Sequence, residues 1–234
     1  MHFVAESGES AAPAVSPAGE LPIATAFVIE PDFALSAHLQ SQLASMGVVS
    51  QLFSSADEYW RSFDSRRPGC LILDVHASVG GVYLRDRLAG ARPAPPLVYL
   101  STETDVACVV NAMRHGAINF LQKRTYGETD LWEAVQRAFQ VDAKQRAAHA
   151  RRQELLNQLS NLSDSELQVM ERLARGKNNR EIAEELGITR AAVEGRRTRL
   201  MKKIGLVSVV SLVRFAIEVE RDIGVREVAQ NSIV

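Results

Sequence analysis

Short apolar runs recur along the first half of the chain, at Thr25–Ile29, Val48–Phe53, Cys70–Leu73, Leu97–Leu100 and Ile118–Leu121. Between them lie stretches with a helical period, such as Phe33–Met46, apolar at Leu35, Leu39, Leu43 and Met46. A strand that is apolar at successive positions is one buried on both faces, so these runs predict parallel strands covered by helices on each side. Five such strands alternating with helices predict a doubly wound five-stranded parallel sheet of the flavodoxin-like kind, an α/β domain over residues 23–139.

The pattern then changes twice. From Thr129 to about Leu159 there is no glycine or proline, and an apolar stripe (Leu131, Val135, Ala138, Phe139) gives way to a polar half with Lys144, Gln145, Arg146, Arg151 and Arg152. A helix that starts on a core and runs into polar residues is a natural connector, and residues 140–159 are expected to be a helical linker. From residue 160 to 221 the spacing is all-helical, punctuated by Gly176, Gly187 and Gly205. Residues 1–22 are rich in Ala, Ser, Pro and Glu, which cannot bury enough surface to offset ordering entropy, so a disordered tail is expected. Residues 222–234 are expected to be a second tail.

Composition narrows the class. The 234 residues are 46% hydrophobic and 24% charged, as in a globular protein, and the net charge of −1 says little because local charges cancel within it. Only Cys70 and Cys108 occur, which excludes a disulfide framework. Nowhere do 18 consecutive apolar residues stand together, and the N-terminal stretch lacks the basic start of a signal peptide; no membrane contact and a cytoplasmic location are expected.

In open parallel sheets the chemistry sits at the carboxyl ends of the strands. Glu30-Pro31-Asp32 follows the first strand, Asp74 the third, Ser101-Thr102 the fourth and Lys123 the fifth. Acids, a hydroxyl and a lysine on one rim suit a divalent cation and a phosphoryl group, although each residue alone also reads as a helix cap or a solvated lysine. With Phe120-Leu121-Gln122-Lys123 on the last strand, residues 24 to about 139 resemble a response-regulator receiver domain. The resemblance implies that Asp74 is a phosphoacceptor, that Glu30, Asp32 and Asp74 lie around Mg²⁺, and that Lys123 contacts the phosphoryl group. It implies too that Ser101 and Phe120 form a switch pair and that a sensor histidine kinase is a partner. The chain departs from the pattern at Pro31, where a metal-ligating acid is usual, at Arg124 after Lys123, and in the loop that follows Asp74.

The C-terminal stretch carries helix signals at each start. Ser163 and Glu166 form a capping box, Asn178 and Glu181 a second, Gly187 ends a helix, and Thr189 caps the next, which runs to Ile204. A helix, a short glycine-containing turn and a second helix place the latter in a major groove. Residues 189–203 hold six basic side chains, Arg190, Arg196, Arg197, Arg199, Lys202 and Lys203, against the single acid Glu194. A merely solvated face usually mixes both signs; this one points to nucleic acid. At 100° per residue Val193, Leu200 and Ile204 face inward, while Ala191, Glu194, Gly195, Thr198, Arg199 and Lys202 project outward. A mid-helix glycine such as Gly195 suggests close approach of another surface.

Residues 162 to 219 resemble the LuxR-type helix-turn-helix on Leu162, Glu166, Val169, Gly176, Asn179, Glu181-Ile182-Ala183, Leu186-Gly187-Ile188, Val193, Arg197, Lys203, Gly205 and Leu212-Val213. The likeness implies an all-α domain that binds double-stranded DNA as a homodimer. Ala192, Gly195 and Arg196 depart from the family at positions where bases are read. The leading expectation is a response regulator of the FixJ/NarL kind. A regulator whose receiver works without phosphorylation, through a protein partner or small ligand, stands beside it. An enzyme lacks support, because no glycine-rich phosphate loop follows the first strand and His76 stands where an aspartyl phosphatase wants a second acid. An adaptor that avoids DNA conflicts with the basic helix.

Overall fold

The computed structural model describes residues 23–74, 84, 87–88, 90–91, 93–102, 106–114 and 116–223. The tail expected at 1–22, nearly all of the one expected at 222–234, and the loop after Asp74 lie outside the described residues. The chain divides into two compact units, 1–142 and 143–234.

The N-terminal unit is built on β1 (Thr25–Ile29), β2 (Val49–Phe53), β3 (Gly69–Asp74), β4 (Leu97–Ser101) and β5 (Ala117–Gln122), with α1 (Phe33–Ser45), α2 (Ala56–Ser62) and α3 (Val106–Arg114) between them. All pairings are parallel, in the order β2-β1-β3-β4-β5. The order reverses between β1 and β3, and a crevice for ligands forms at such a switch point. Side-chain alternation in β1 shows why its run had to be apolar throughout. Ala26 and Val28 join Leu39 and Leu43 of α1 and Leu131 and Val135 of a later helix, while Phe27 and Ile29 join Phe53, Tyr59, Leu71 and Leu73 on the opposite face. Burying each of the larger apolar side chains, such as Val28, Leu39 or Ile29, stabilises the fold by about 1.5–3 kcal/mol. Gly69 opens β3 at φ +149°, where a Cβ would stand 1.9 Å from the Thr25 carbonyl oxygen of β1. Only glycine fits that approach. Its N–H donates to the buried Asp142 carboxylate at 2.9 Å. The neighbouring Cys70 is a free, buried thiol; burial first, and Asp142 second, push its pKa far above the usual thiol range.

Helix α4 (Glu128–Ser160) begins in the first unit and ends in the second. The C-terminal unit continues with α5 (Asp164–Ala174), α6 (Asn179–Leu186), α7 (Arg190–Lys203) and α8 (Val209–Asp222). Its core gathers Leu167, Met170 and Leu173 from α5, Ile182 from α6, Val193 and Leu200 from α7, and Leu212, Phe215 and Val219 from α8. Leu155 and Leu159 of α4 belong to the same core and are fully buried, although they lie in the stretch whose composition suggests a polar linker. Arg151 places two 2.7 Å hydrogen bonds on Glu218, and Arg152 donates to the Asp222 carbonyl at the end of α8, where a cation complements the helix dipole. The last turns of α4 are thus part of the second unit's fold.

Candidate nucleic-acid interface and acidic pocket

Helix α7 is held at its start by Thr189, whose Oγ1 accepts from the Ala192 N–H at 3.1 Å. The preceding α6 is capped by Asn178, which accepts from Arg180 and Glu181 N–H groups at 3.0 and 3.1 Å, and the Glu181 carboxylate returns a bond to Asn178 N–H at 2.7 Å. Gly187 closes α6 in the left-handed region, φ +64°, and so turns the chain into α7. Val193 and Leu200 are fully buried. Arg190, Ala191, Glu194, Thr198, Arg199, Lys202 and Lys203 are exposed, whereas Gly195, Arg196 and Arg197 are half-buried.

Three of the expected contact residues have internal duties. Lys203 Nζ lies 2.8 Å from a carboxylate oxygen of Glu166, which is itself 2% exposed. That oxygen also accepts from the N–H and Oγ of Ser163 at 2.8 and 2.9 Å. Burial tends to raise the Glu166 carboxyl, but the bonds from Lys203 and Ser163 outweigh it and hold it below the usual carboxylate range. Arg197 donates to Asn179 Oδ1 at 3.2 Å, tying α7 to the first turn of α6. Thr198 donates its hydroxyl proton to the Glu194 carbonyl at 2.9 Å, so it can offer a partner only lone pairs and a methyl group. Around Gly195 there is space: a Cβ there would meet nothing nearer than an Arg199 guanidinium nitrogen at 3.9 Å. A groove of about 610 Å³ lies beside α7, lined by Lys177, Asn179, Arg180, Arg190, Glu194 and Arg197 among others. The sequence does not single out Lys177 and Arg180, and Asn179 enters only as part of the family likeness. The only other signal is the run of polar residues that opens α6.

In the N-terminal unit the strand ends gather most of the expected rim. Glu30 and Asp74 are 3% and 5% exposed and Ser101 is fully buried. Lys123 Nζ lies 2.6 Å from a Glu30 oxygen and 3.0 Å from an Asp74 oxygen, with its side chain only 9% exposed. The Lys123 N–H donates to the Ser101 carbonyl at 2.8 Å, which fixes the end of β5 against β4. Phe120 is half-buried on β5 and packs with the aromatic core of that face. Asp32 bonds locally: its N–H donates to a Glu30 carboxylate oxygen at 3.1 Å. Its Oδ1 accepts from the N–H groups of Ala34 and Leu35 at 2.9 and 3.1 Å, so it caps α1.

A divalent cation at this rim wants several carboxylate oxygens. Pro31 offers none, Asp32 Oδ1 caps α1, and Glu30 and Asp74 both lie within ion-pair distance of the Lys123 ammonium. Among the described residues no three His, Cys, Asp or Glu side chains come close enough to hold a metal ion. The described residues alone do not make up a divalent-cation site, although one buried Glu30 oxygen has no hydrogen-bond partner.

Comparison with known proteins follows the same division. Residues 26–136 match the profile of the response regulator receiver domain, and residues 160–216 that of bacterial regulatory proteins of the luxR family. The transcriptional regulatory protein TdiR of Thauera aromatica is 31% identical over 192 residues, 82% of this chain and 84% of that protein. Nodulation protein W of Bradyrhizobium diazoefficiens is 31% identical over 194 residues, 82% of this chain and 85% of that protein. Among solved structures the response regulator StyR aligns with a TM-score of 0.71 at 29% identity, over 84% of this chain and 99% of that one. Full-length FixJ from B. japonicum aligns at 0.50 and 28%, over 86% and 99%.

Proposed function

This chain belongs to the response-regulator family, as a receiver domain followed by a LuxR-type DNA-binding domain, and from that premise we propose how it reads DNA and what controls it. It is a DNA-binding transcriptional regulator. Helix α7 enters the major groove. Glu194 and Thr198, one turn apart on its outer face, meet base edges, where the carboxylate accepts from a cytosine amino group and the threonine methyl touches thymine. Arg190, Arg196, Arg199 and Lys202 hold phosphates, which fixes position rather than sequence. Arg197 and Lys203 act first as braces, through Asn179 and Glu166. A second copy of the chain pairs through α8, whose Val210 and Ile217 are 65% and 50% exposed, two helical turns apart on one face. Work on chromosomal DNA puts the protein in the cytoplasm.

The observation that carries this reading is α7 itself: capped, anchored by Val193 and Leu200, and exposing four basic residues and one acid with open space at Gly195. Control comes from the pocket at Asp74. A sensor kinase that phosphorylates this chain does so there, with Lys123 beside the phosphoryl group and Ser101 and Phe120 passing on the change. The second reading, a receiver worked by a partner or ligand without phosphorylation, draws support from Pro31 and from the Asp32 cap.

Selection of bound duplexes from a randomised pool tests the DNA-reading half. The wild type should enrich a pseudo-palindrome with half-sites roughly 10 bp apart. Glu194→Ala should relax one base pair per half-site by about 1–3 kcal/mol of discrimination. Asymmetric single sites, or an unchanged preference in Glu194→Ala, would refute the arrangement.

A further inference from the structure

The DNA-reading helix and the pairing helix of the C-terminal unit hang from different supports. Helix α7 is braced from within the helix-turn-helix: Lys203 by Glu166 of α5 at 2.8 Å, and Arg197 by Asn179 of α6 at 3.2 Å. Helix α8 is gripped from α4. The Arg151 guanidinium meets the Glu218 carboxylate as a fork on a fork, Nε on Oε1 and Nη2 on Oε2, both at 2.7 Å. Such a pair fixes direction as well as distance. The bond from Arg151 outweighs partial burial and holds the Glu218 carboxyl below the usual carboxylate range. The neighbouring Arg152 donates to the carbonyl of Asp222, the last residue of α8. One turn further along α4, Leu155 and then Leu159 enter the core that also holds Leu212, Phe215 and Val219 of α8. Between Asp142 and Arg151, by contrast, α4 buries no side chain.

The grip falls on the half of α8 that carries the exposed Ile217. Glu218 is next in sequence, about 100° round the helix, and Asp222 lies one turn beyond it. A small turn or tilt of this half would carry Ile217 out of line with its counterpart in a second copy, while α7, held by α5 and α6, keeps its place. We infer that Arg151 and Arg152 set the pairing surface of α8 from the connector helix, so that α4 governs how firmly two copies pair on DNA and not how each copy reads it. The inference rests on the pairing of copies through α8 and names the residues that control it.

Two duplexes separate the effects, one carrying a single selected half-site and the other carrying both. Binding of the full chain to each is followed by fluorescence anisotropy. Arg151→Glu sets two carboxylates face to face and should weaken binding to the two-site duplex by about fivefold, with binding to the single half-site unchanged. Arg151→Gln should show the same split to a smaller degree, and carries the test if the reversed charge unfolds the unit. Arg151→Glu combined with Glu218→Arg should recover most of the loss. Equal losses on both duplexes in a folded variant would overturn the inference, as would unchanged binding to both, or a loss that the exchanged pair fails to recover. Val210→Arg, on the pairing face itself, keeps the two claims apart. If it too leaves two-site binding unchanged, copies do not pair through α8 and the pairing proposal has failed. If it weakens two-site binding where Arg151→Glu does not, only the grip has failed.

Discussion

Replacing Gly195 by alanine should pull stability and DNA binding in opposite directions. Glycine inside a helix costs about 1 kcal/mol relative to alanine, because it loses more backbone freedom on folding. At Gly195 no contact offsets that cost, since an added methyl would find its nearest neighbour 3.9 Å away, at the end of a flexible arginine. Gly195→Ala should therefore stabilise the C-terminal unit by about 1 kcal/mol, a rise of roughly 4–8 °C in melting temperature for a unit of this size. Against DNA the sign reverses. If the backbone at 195 lies against the groove, one methyl overfills a packed interface at about 1–3 kcal/mol, a loss of about 5- to 150-fold in affinity. Gly195→Val should lose more and shift preference at a neighbouring base. Far-UV circular dichroism on residues 143–234 reads the first effect, and fluorescence anisotropy with a selected duplex reads the second. A variant that melts higher yet binds with unchanged affinity and base preference would refute the argument that this face meets DNA.

Other expectations follow from the same geometry. Lys202→Ala should weaken binding to all duplexes alike at unchanged stability, whereas Lys203→Ala should also lower the melting temperature, by about 1–2 kcal/mol in stability, because it removes a charged hydrogen bond from buried Glu166; equal melting of the two variants would return Lys203 to a DNA-only role. Glu166 is held below its usual value near 4.5, so its contribution is present above that pH and is lost as pH falls through the lower folded value. Melting of 143–234 should drop steeply in that acid window, and Glu166→Gln, less stable at neutral pH, should flatten the drop. Gly69→Ala should unfold the N-terminal unit or cost several kcal/mol, since its Cβ would collide with the Thr25 carbonyl; tryptophan fluorescence would show near-native melting if the strands can part to admit it.

The central strands β1, β3 and β4 were legible because strands buried on both faces leave uninterrupted apolar runs, while the edge strands β2 and β5, only partly buried and carrying Ser50, Gln51 and Asn119, were legible from the apolar residues at their ends. The helix starts at Asn178 and Thr189 were legible because capping is a local interaction between residues two or three apart. What escaped depends on partners distant in sequence. Nothing near Lys203 announces Glu166, 37 residues upstream, so a charge tally counts it with the DNA contacts. Nothing near Asp32 separates a metal ligand from a helix cap, because the same carboxylate suits both. Leu155, Leu156 and Leu159 stand in a polar stretch, and only the assembled core of the second unit shows that Leu155 and Leu159 are fully buried. Arg151 reads as linker solvation until Glu218 is brought beside it.

The central claim is that α7 holds duplex DNA through a short row of phosphate contacts. It is tested most directly by titrating binding of residues 143–234 to duplex DNA against salt. Contacts from Arg190, Arg196, Arg199 and Lys202 should make log K fall with log salt at a slope of roughly −4 per copy, and Lys202→Ala should reduce that slope by about one unit. Binding that ignores salt, or its absence on every duplex at low salt, would contradict the account.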